Sequence, residues 1–124
     1  MEIKCGTDII EIDRIRESIE KMGERFVKRV FTKNEIEYCE SKKAQKYQHY
    51  AARFAAKEAT FKAISEELDN KNSICWKDFE VINDENGKPR LNIICSDLGN
   101  IISKDISISH CKEYAVANVI ILKD

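Results

Sequence analysis

The stretch that decides the fold reads Ala51-Ala52-Arg53-Phe54-Ala55-Ala56-Lys57-Glu58-Ala59-Thr60-Phe61-Lys62-Ala63. It is rich in alanine and free of glycine and proline, which gives it high intrinsic helix propensity, and the pattern predicts one long helix over 45–68. A turn of about 100° per residue places Ala51, Phe54, Ala55, Phe61, Lys62 and Ser65 on the same side as Glu58. A carboxylate thus falls in an apolar stripe. An ordinary surface pair of Glu58 with Lys62 at i and i+4 would be worth roughly 0.3–0.5 kcal/mol. The flanking phenylalanines argue against that account, because burying a carboxylate without a cation or hydrogen bonds costs several kcal/mol. The opposite side carries Ala52, Ala56, Ala59 and Ala63, small residues that let a backbone approach closely. Arg53 and Lys57, one turn apart, read either as phosphate binders or as a solvated face.

Working outward, residues 3–10 alternate as a strand, with Ile3, Cys5, Thr7 and Ile9 on one face and Lys4, Gly6, Asp8 and Ile10 on the other. Asp13 is a natural cap for a helix running to about residue 29, in which Ile15, Ile19, Met22, Phe26 and Val30 repeat at helical spacing. Arg14, Lys21, Arg25 and Lys28 run beside that apolar line. They suggest a docking surface for an acidic partner, although Glu17, Glu20 and Glu24 interleave as on any solvated face. Thr32 and Glu35 form a capping-box pattern that opens a short helix to about residue 40.

Beyond the long helix the period changes to two. Strands are predicted over 75–82 and 90–95 around a turn at 83–89, where Gly87 supplies a positive φ. Ser96 or Asp97 would cap a short helix to 103, and strands over 106–111 and 114–122 follow. Early helices and late antiparallel strands define an α+β domain spanning 1–124, its antiparallel sheet packed against the long central helix.

The 124 residues are 43% hydrophobic and 35% charged, enough for one core and too few for two. Lysine plus arginine total 21 and aspartate plus glutamate 22, so the net charge of −1 offers no bulk attraction for nucleic acid or anionic lipid. The longest apolar stretch, 116–122, is too short to span a bilayer, and residues 1–6 lack the pattern of a leader segment. Five cysteines, an odd number without a CxxC spacing, suggest reduced thiols in a cytoplasm.

Asp8 interrupts an apolar run at the end of a strand that must pack beside the alanine-rich helix. Asp8 and Glu58 together would repel unless a hard divalent cation joined them, and magnesium takes one or two protein carboxylates, water and substrate phosphate oxygens. The competing reading of Asp8 is an end-of-strand turn cap. Ser109 and His110 point to opposite faces of a strand, so they do not form a nucleophile and base couple. His49, at a lysine- and tyrosine-rich helix start, receives a structural reading.

Four segments in register, Gly6-Thr7-Asp8-Ile9-Ile10-Glu11-Ile12, Arg53 to Ala59 with Lys62-Ala63, Asn86-Gly87-Lys88-Pro89 and Ser107-Ile108-Ser109-His110, closely resemble the holo-[acyl-carrier-protein] synthases, the small 4'-phosphopantetheinyl transferases. The resemblance covers nearly the whole chain. It implies magnesium-dependent transfer of 4'-phosphopantetheine from coenzyme A to a serine of apo acyl carrier protein, with release of adenosine 3',5'-bisphosphate, in support of fatty acid biosynthesis. It implies Asp8 and Glu58 as metal ligands, and Lys62 as a pyrophosphate contact that offsets charge as the phosphoanhydride breaks. Arg53, Gly87, Lys88, Pro89, Ser109 and His110 match positions at the nucleotide end of coenzyme A. Arg14, Lys21, Met22, Arg25 and Phe26 match the carrier-docking helix. The resemblance further implies a homotrimer with sites between subunits. Glu58 is the expected general base, directly or through a bound water.

Two departures stand out. The loop 65–73 replaces a glycine-rich turn, and Thr60-Phe61 stands where relatives often carry a hydroxyl at the second position, which would lose a phosphate contact or shift it to Thr60. Other readings are a non-catalytic carrier-binding module, which would tolerate loss of Asp8 or Glu58, and a metal-dependent pyrophosphate hydrolase, which would cleave coenzyme A without a carrier.

Overall fold

The structure is a computed structural model that describes residues 1–67, 74–94 and 98–124. The described elements run β1 (Glu2–Glu11), α1 (Ile12–Met22), α2 (Glu24–Val30), α3 (Lys33–Glu40), α4 (Lys46–Ala63), β2 (Phe79–Asn83), β3 (Pro89–Ile93), β4 (Ile101–His110) and β5 (Tyr114–Lys123). Strands β1, β5 and β4 form an antiparallel sheet in that order, and β2 pairs with β3 as a separate hairpin. The expected α+β arrangement is present, with α4 at its centre.

Helix α4 is buried on nearly every side, which explains its alanine content. Ala55, Ala56, Ala59 and Ala63 pack with Phe79, Val81 and Leu91 of the hairpin and with Ile106, Ala117, Val119 and Ile121 of the sheet. Ala51, Ala52 and Tyr50 pack with Ile12, Ile15, Val30, Phe31 and Cys39 from the preceding helices. The small side chains do what their spacing predicts. A β-carbon built on Gly6 would lie 1.9 Å from the Ala59 carbonyl oxygen, so only glycine lets β1 cross α4 at this depth. Gly6→Ala is expected to destabilise the protein by about 3 kcal/mol, the upper part of the range for overpacking. A urea midpoint equal to that of the parent would overturn this packing argument.

Several expected boundaries move, each for a local reason. The helix predicted over 13–29 is two helices broken at Gly23, whose φ of 62° takes the chain into left-handed backbone. The Gly23 N–H donates to the Ile19 carbonyl, and the Gly23 carbonyl accepts from Phe26 and Val27. Asp13 does not cap α1: the cap position is Glu11, and Asp13 lies in the first turn, paired with Arg16 at 2.9 Å. The long helix stops at Ala63 and passes into a 3-10 turn at Ser65–Glu67, while 68–73 of the predicted helix and loop lie outside the described residues. The start of the predicted strand at 75 is a 3-10 turn, Trp76–Asp78, in which Asp78 accepts from the Cys75 N–H at 2.8 Å. The helix predicted to end at 103 gives way to β4, which begins at Ile101; its predicted caps, 96 and 97, lie outside the described residues. The capping box of Thr32 and Glu35 forms as expected.

Lys57 corrects both readings given to it. Its side chain is fully buried, as is that of Glu35, and the two form an ion pair of 2.7 Å. The ammonium also donates to the carbonyls of Trp76 and Phe79, so all three of its hydrogens have acceptors. It ties α4 to α3 and to the start of the hairpin, and has no donor left for phosphate. Thr60 is likewise buried, and its hydroxyl donates to the Ala56 carbonyl at 2.7 Å, so the shifted phosphate contact considered for it is not available. Among the described residues no helix is long and apolar enough to cross a membrane.

Candidate active site

Asp8 and Glu58 reach one cleft from two rigid elements. Gly6 and Asp8 share the inner face of β1, and beside the close crossing of Gly6 over Ala59 the Asp8 carboxylate meets Lys62 of α4. Asp8, Glu58, Arg14, Phe26 and Phe54 line a cleft of about 400 Å³. Burial, and then the charge of Asp8, hold the Glu58 carboxyl above the usual glutamate range, with Lys62 acting in the opposite direction. Lys62 extends over the rim, where its ammonium donates to Asp8 Oδ1 at 3.1 Å and to the Thr7 carbonyl at 2.9 Å. The structure thus brings Asp8 and Glu58 to one cleft, with Lys62 bonded to Asp8.

The donor set fits a hard divalent ion. Both groups offer carboxylate oxygen, and among the described residues no cluster of three or more histidine, cysteine, aspartate or glutamate side chains forms. Carboxylate oxygen is the donor type that hard ions such as magnesium take, whereas zinc favours nitrogen and sulfur.

The docking candidates border the same cleft. Arg14 and Phe26 line it, while Lys21, Met22 and Arg25 lie exposed along α1 and α2. Phe26 stacks on Phe54, and Phe54 stacks in turn on Trp76, so an aromatic row runs inward from the cleft wall. Among the described residues Arg14, Lys21 and Arg25 make no ion pair, which leaves their charge available to a partner.

The remaining candidates fall into two other groups. Arg53 is 4% exposed, holds its guanidinium carbon 4.1 Å from the Tyr38 ring centroid and donates to Asn83 Oδ1 at 3.3 Å. His49 links this group to His110, with ring centroids 5.4 Å from Tyr38 and 6.0 Å from His110. Five residues of helix separate Arg53 from Glu58, a rotation of about 140°. Lys88 and Pro89 line a hollow of about 280 Å³ with Asp105, Ser107, Asn118 and Ile120. Gly87 holds its turn at φ 81°, and Ser109 lies exposed near the end of β4. Tyr38 and Asn83 are not singled out from sequence, and His49 receives only a structural reading there. His49 carried a usable signal, since it stands four residues before Arg53 on α4; Tyr38 and Asn83 meet it only through tertiary packing.

This architecture defines a class. Residues 4–119 match the family described as the 4'-phosphopantetheinyl transferase superfamily. A protein of Ruminiclostridium cellulolyticum described as holo-[acyl-carrier-protein] synthase is 48% identical over 127 residues, covering 98% of this chain and 92% of the relative. The Chronobacterium ammoniagenes ACPS-CoA complex superposes with a TM-score of 0.85 at 26% identity, covering 100% of this chain and 99% of that one. A holo-(acyl-carrier-protein) synthase from Bacillus anthracis in complex with CoA (3',5'-ADP) has a TM-score of 0.77 at 38% identity, covering 98% and 96%. The chain therefore belongs to the holo-[acyl-carrier-protein] synthase family and is a phosphopantetheinyl transferase.

Proposed function

We propose that this protein transfers 4'-phosphopantetheine from coenzyme A to a serine hydroxyl of apo acyl carrier protein, with magnesium, releasing adenosine 3',5'-bisphosphate and supplying fatty acid biosynthesis in the cytoplasm. The observation that carries this reading is the convergence of Asp8, Glu58 and Lys62 on a cleft whose wall includes Arg14 and Phe26. Asp8 and Glu58 would hold the ion, which would supply charge neutralisation at the diphosphate. Glu58 takes the serine proton as the hydroxyl oxygen bonds to the pantetheine-side phosphorus and the phosphoanhydride P–O bond breaks. Lys62 sits at the rim beside Asp8, where it meets the negative charge gathering on the departing phosphate.

Arg53, Gly87, Lys88, Pro89, Ser109 and His110 hold the nucleotide end in this reading. Within one chain they lie in groups apart from the acidic pair, which supports sites completed by neighbouring copies in a homotrimer. The outer sheet face supports the same assembly: Ile3, Ile9 and Ile120 are 75%, 63% and 52% exposed there, a patch that a partner copy would cover.

The test is incubation with coenzyme A, magnesium and apo acyl carrier protein, followed by mass spectrometry of the carrier. A phosphopantetheine adduct is expected. Coenzyme A cleavage without a carrier would favour pyrophosphate hydrolysis, and carrier binding without any adduct would favour a non-catalytic module. Changing Arg14 and Arg25 together to Glu is expected to weaken carrier use through association, raising KM for the carrier more at low salt than at high salt. Weaker coenzyme A binding with unchanged carrier KM would overturn the docking assignment.

A further inference from the structure

Three basic side chains gather around the Tyr38 ring beside the N-terminal half of α4, and a fourth, His110, lies against one of them. The Lys42 ammonium lies 4.8 Å and the Arg53 guanidinium 4.1 Å from the Tyr38 centroid, with His49 against the same ring and His110 against His49. They come from α4, the end of β4 and the turn after α3. None of the four is in an ion pair among the described residues. The Arg53 Nε hydrogen is buried and has no acceptor there, although the side chain is nearly inaccessible. A buried donor without an acceptor, among cations without counter-charges, is the complement of an anion.

We propose that His49 and Lys42 join Arg53 and His110 in holding a phosphomonoester, and that its binding draws a proton onto the His49 imidazole, so that pH sets the grip on the nucleotide end of coenzyme A. The proposal rests on the reading above that Arg53 and His110 take that end; it adds two residues and a proton to it.

The sign follows from what surrounds His49. In the free protein, burial and then the charges of Arg53, Lys42 and His110 hold this imidazole below the ordinary histidine range, and Tyr38 adds only a ring contact. A dianion seated among these groups reverses the local field from repulsive to attractive and raises the proton affinity of His49. By reciprocity, whatever raises the proton affinity on binding is bound more tightly when the proton is present. Affinity therefore falls as pH rises from His49's value in the free protein to its higher value in the complex. The free ligand's second ionisation has the opposite slope and is common to parent and variant, so their difference reports what His49 adds to the site's proton linkage.

The experiment is calorimetric titration of the intact protein with coenzyme A at pH 6, 7 and 8, each in two buffers of different ionisation heat, without carrier. Parent, His49→Gln, His49→Phe and His110→Gln are compared, with circular dichroism confirming folding. The parent is expected to take up more protons than His49→Gln and to lose about three- to tenfold more affinity than that variant between pH 6 and 8. With coenzyme A lacking its 3'-phosphate, that difference should vanish. Equal proton uptake by parent and both His49 variants, with His110→Gln still weakening binding, would overturn the role of His49 alone. Unchanged binding in His110→Gln and in an added Arg53→Ala variant would instead sink the underlying assignment of this group to the nucleotide end. A His49-dependent uptake that persists without the 3'-phosphate would overturn the phosphomonoester as its cause.

Discussion

Glu58→Gln is expected to lower turnover by roughly 10²- to 10⁴-fold, the range associated with a positioned general base, while leaving the fold intact. The reason lies in what surrounds the carboxylate: burial and Asp8 both disfavour its charge. A carboxyl whose pKa in the folded state is raised above the unfolded value favours folding while it is protonated, and that contribution is lost as pH rises through the folded value. At neutral pH in the presence of a chelator, Glu58 is thus a destabilising charge that glutamine removes. Thermal melts should find the variant as stable as the parent or more so under those conditions. Magnesium should raise the parent's Tm more than the variant's. Full activity in the glutamine variant, or an equal magnesium response in both proteins, would contradict the role given to Glu58.

Lys57→Met should cost about 3–5 kcal/mol, the penalty for stranding one member of a buried pair. Glu35 would then keep its hydrogen bonds from the Thr32 and Val81 N–H groups but lose the only full positive charge bonded to it among the described residues. The carbonyls of Trp76 and Phe79 would lose a donor as well. Removing both charges together as Lys57→Met with Glu35→Leu should recover a substantial part of the loss, because the desolvation of two ions disappears with them. Chemical denaturation of the parent, both single variants and the double variant closes the cycle. Single variants as stable as the parent would show that the pair does not bear on folding.

The alternation of β1, the alanine content of α4 and the box at Thr32 were legible because each is written within one short stretch. The pairing of Asp8 with Glu58 was legible for a related reason: an acid interrupting an apolar pattern asks for a partner, and the chain offered two such acids. The nature of Lys57 was not, since a lysine one turn from an arginine looks like a wet surface until another element, here α3, brings Glu35 to it. The break at Gly23 was readable and outweighed by the apolar line that continues across it. His49 offered only its place one turn before Arg53, and its ring contacts came into view once β4 and α3 had set His110 and Tyr38 beside it.

The missing side chain at position 6 has a reach beyond its own contact. Strand residues two apart are separated by about 7 Å along the chain, so the seat of Gly6 on the Ala59 carbonyl acts as a fulcrum one pleat away from Asp8. Any rocking of the strand about that seat is transmitted to the carboxylate at short leverage, which keeps its travel small. The two acids of the cleft are thereby carried on main chain that meets at one close contact, the crossing of Gly6 over Ala59.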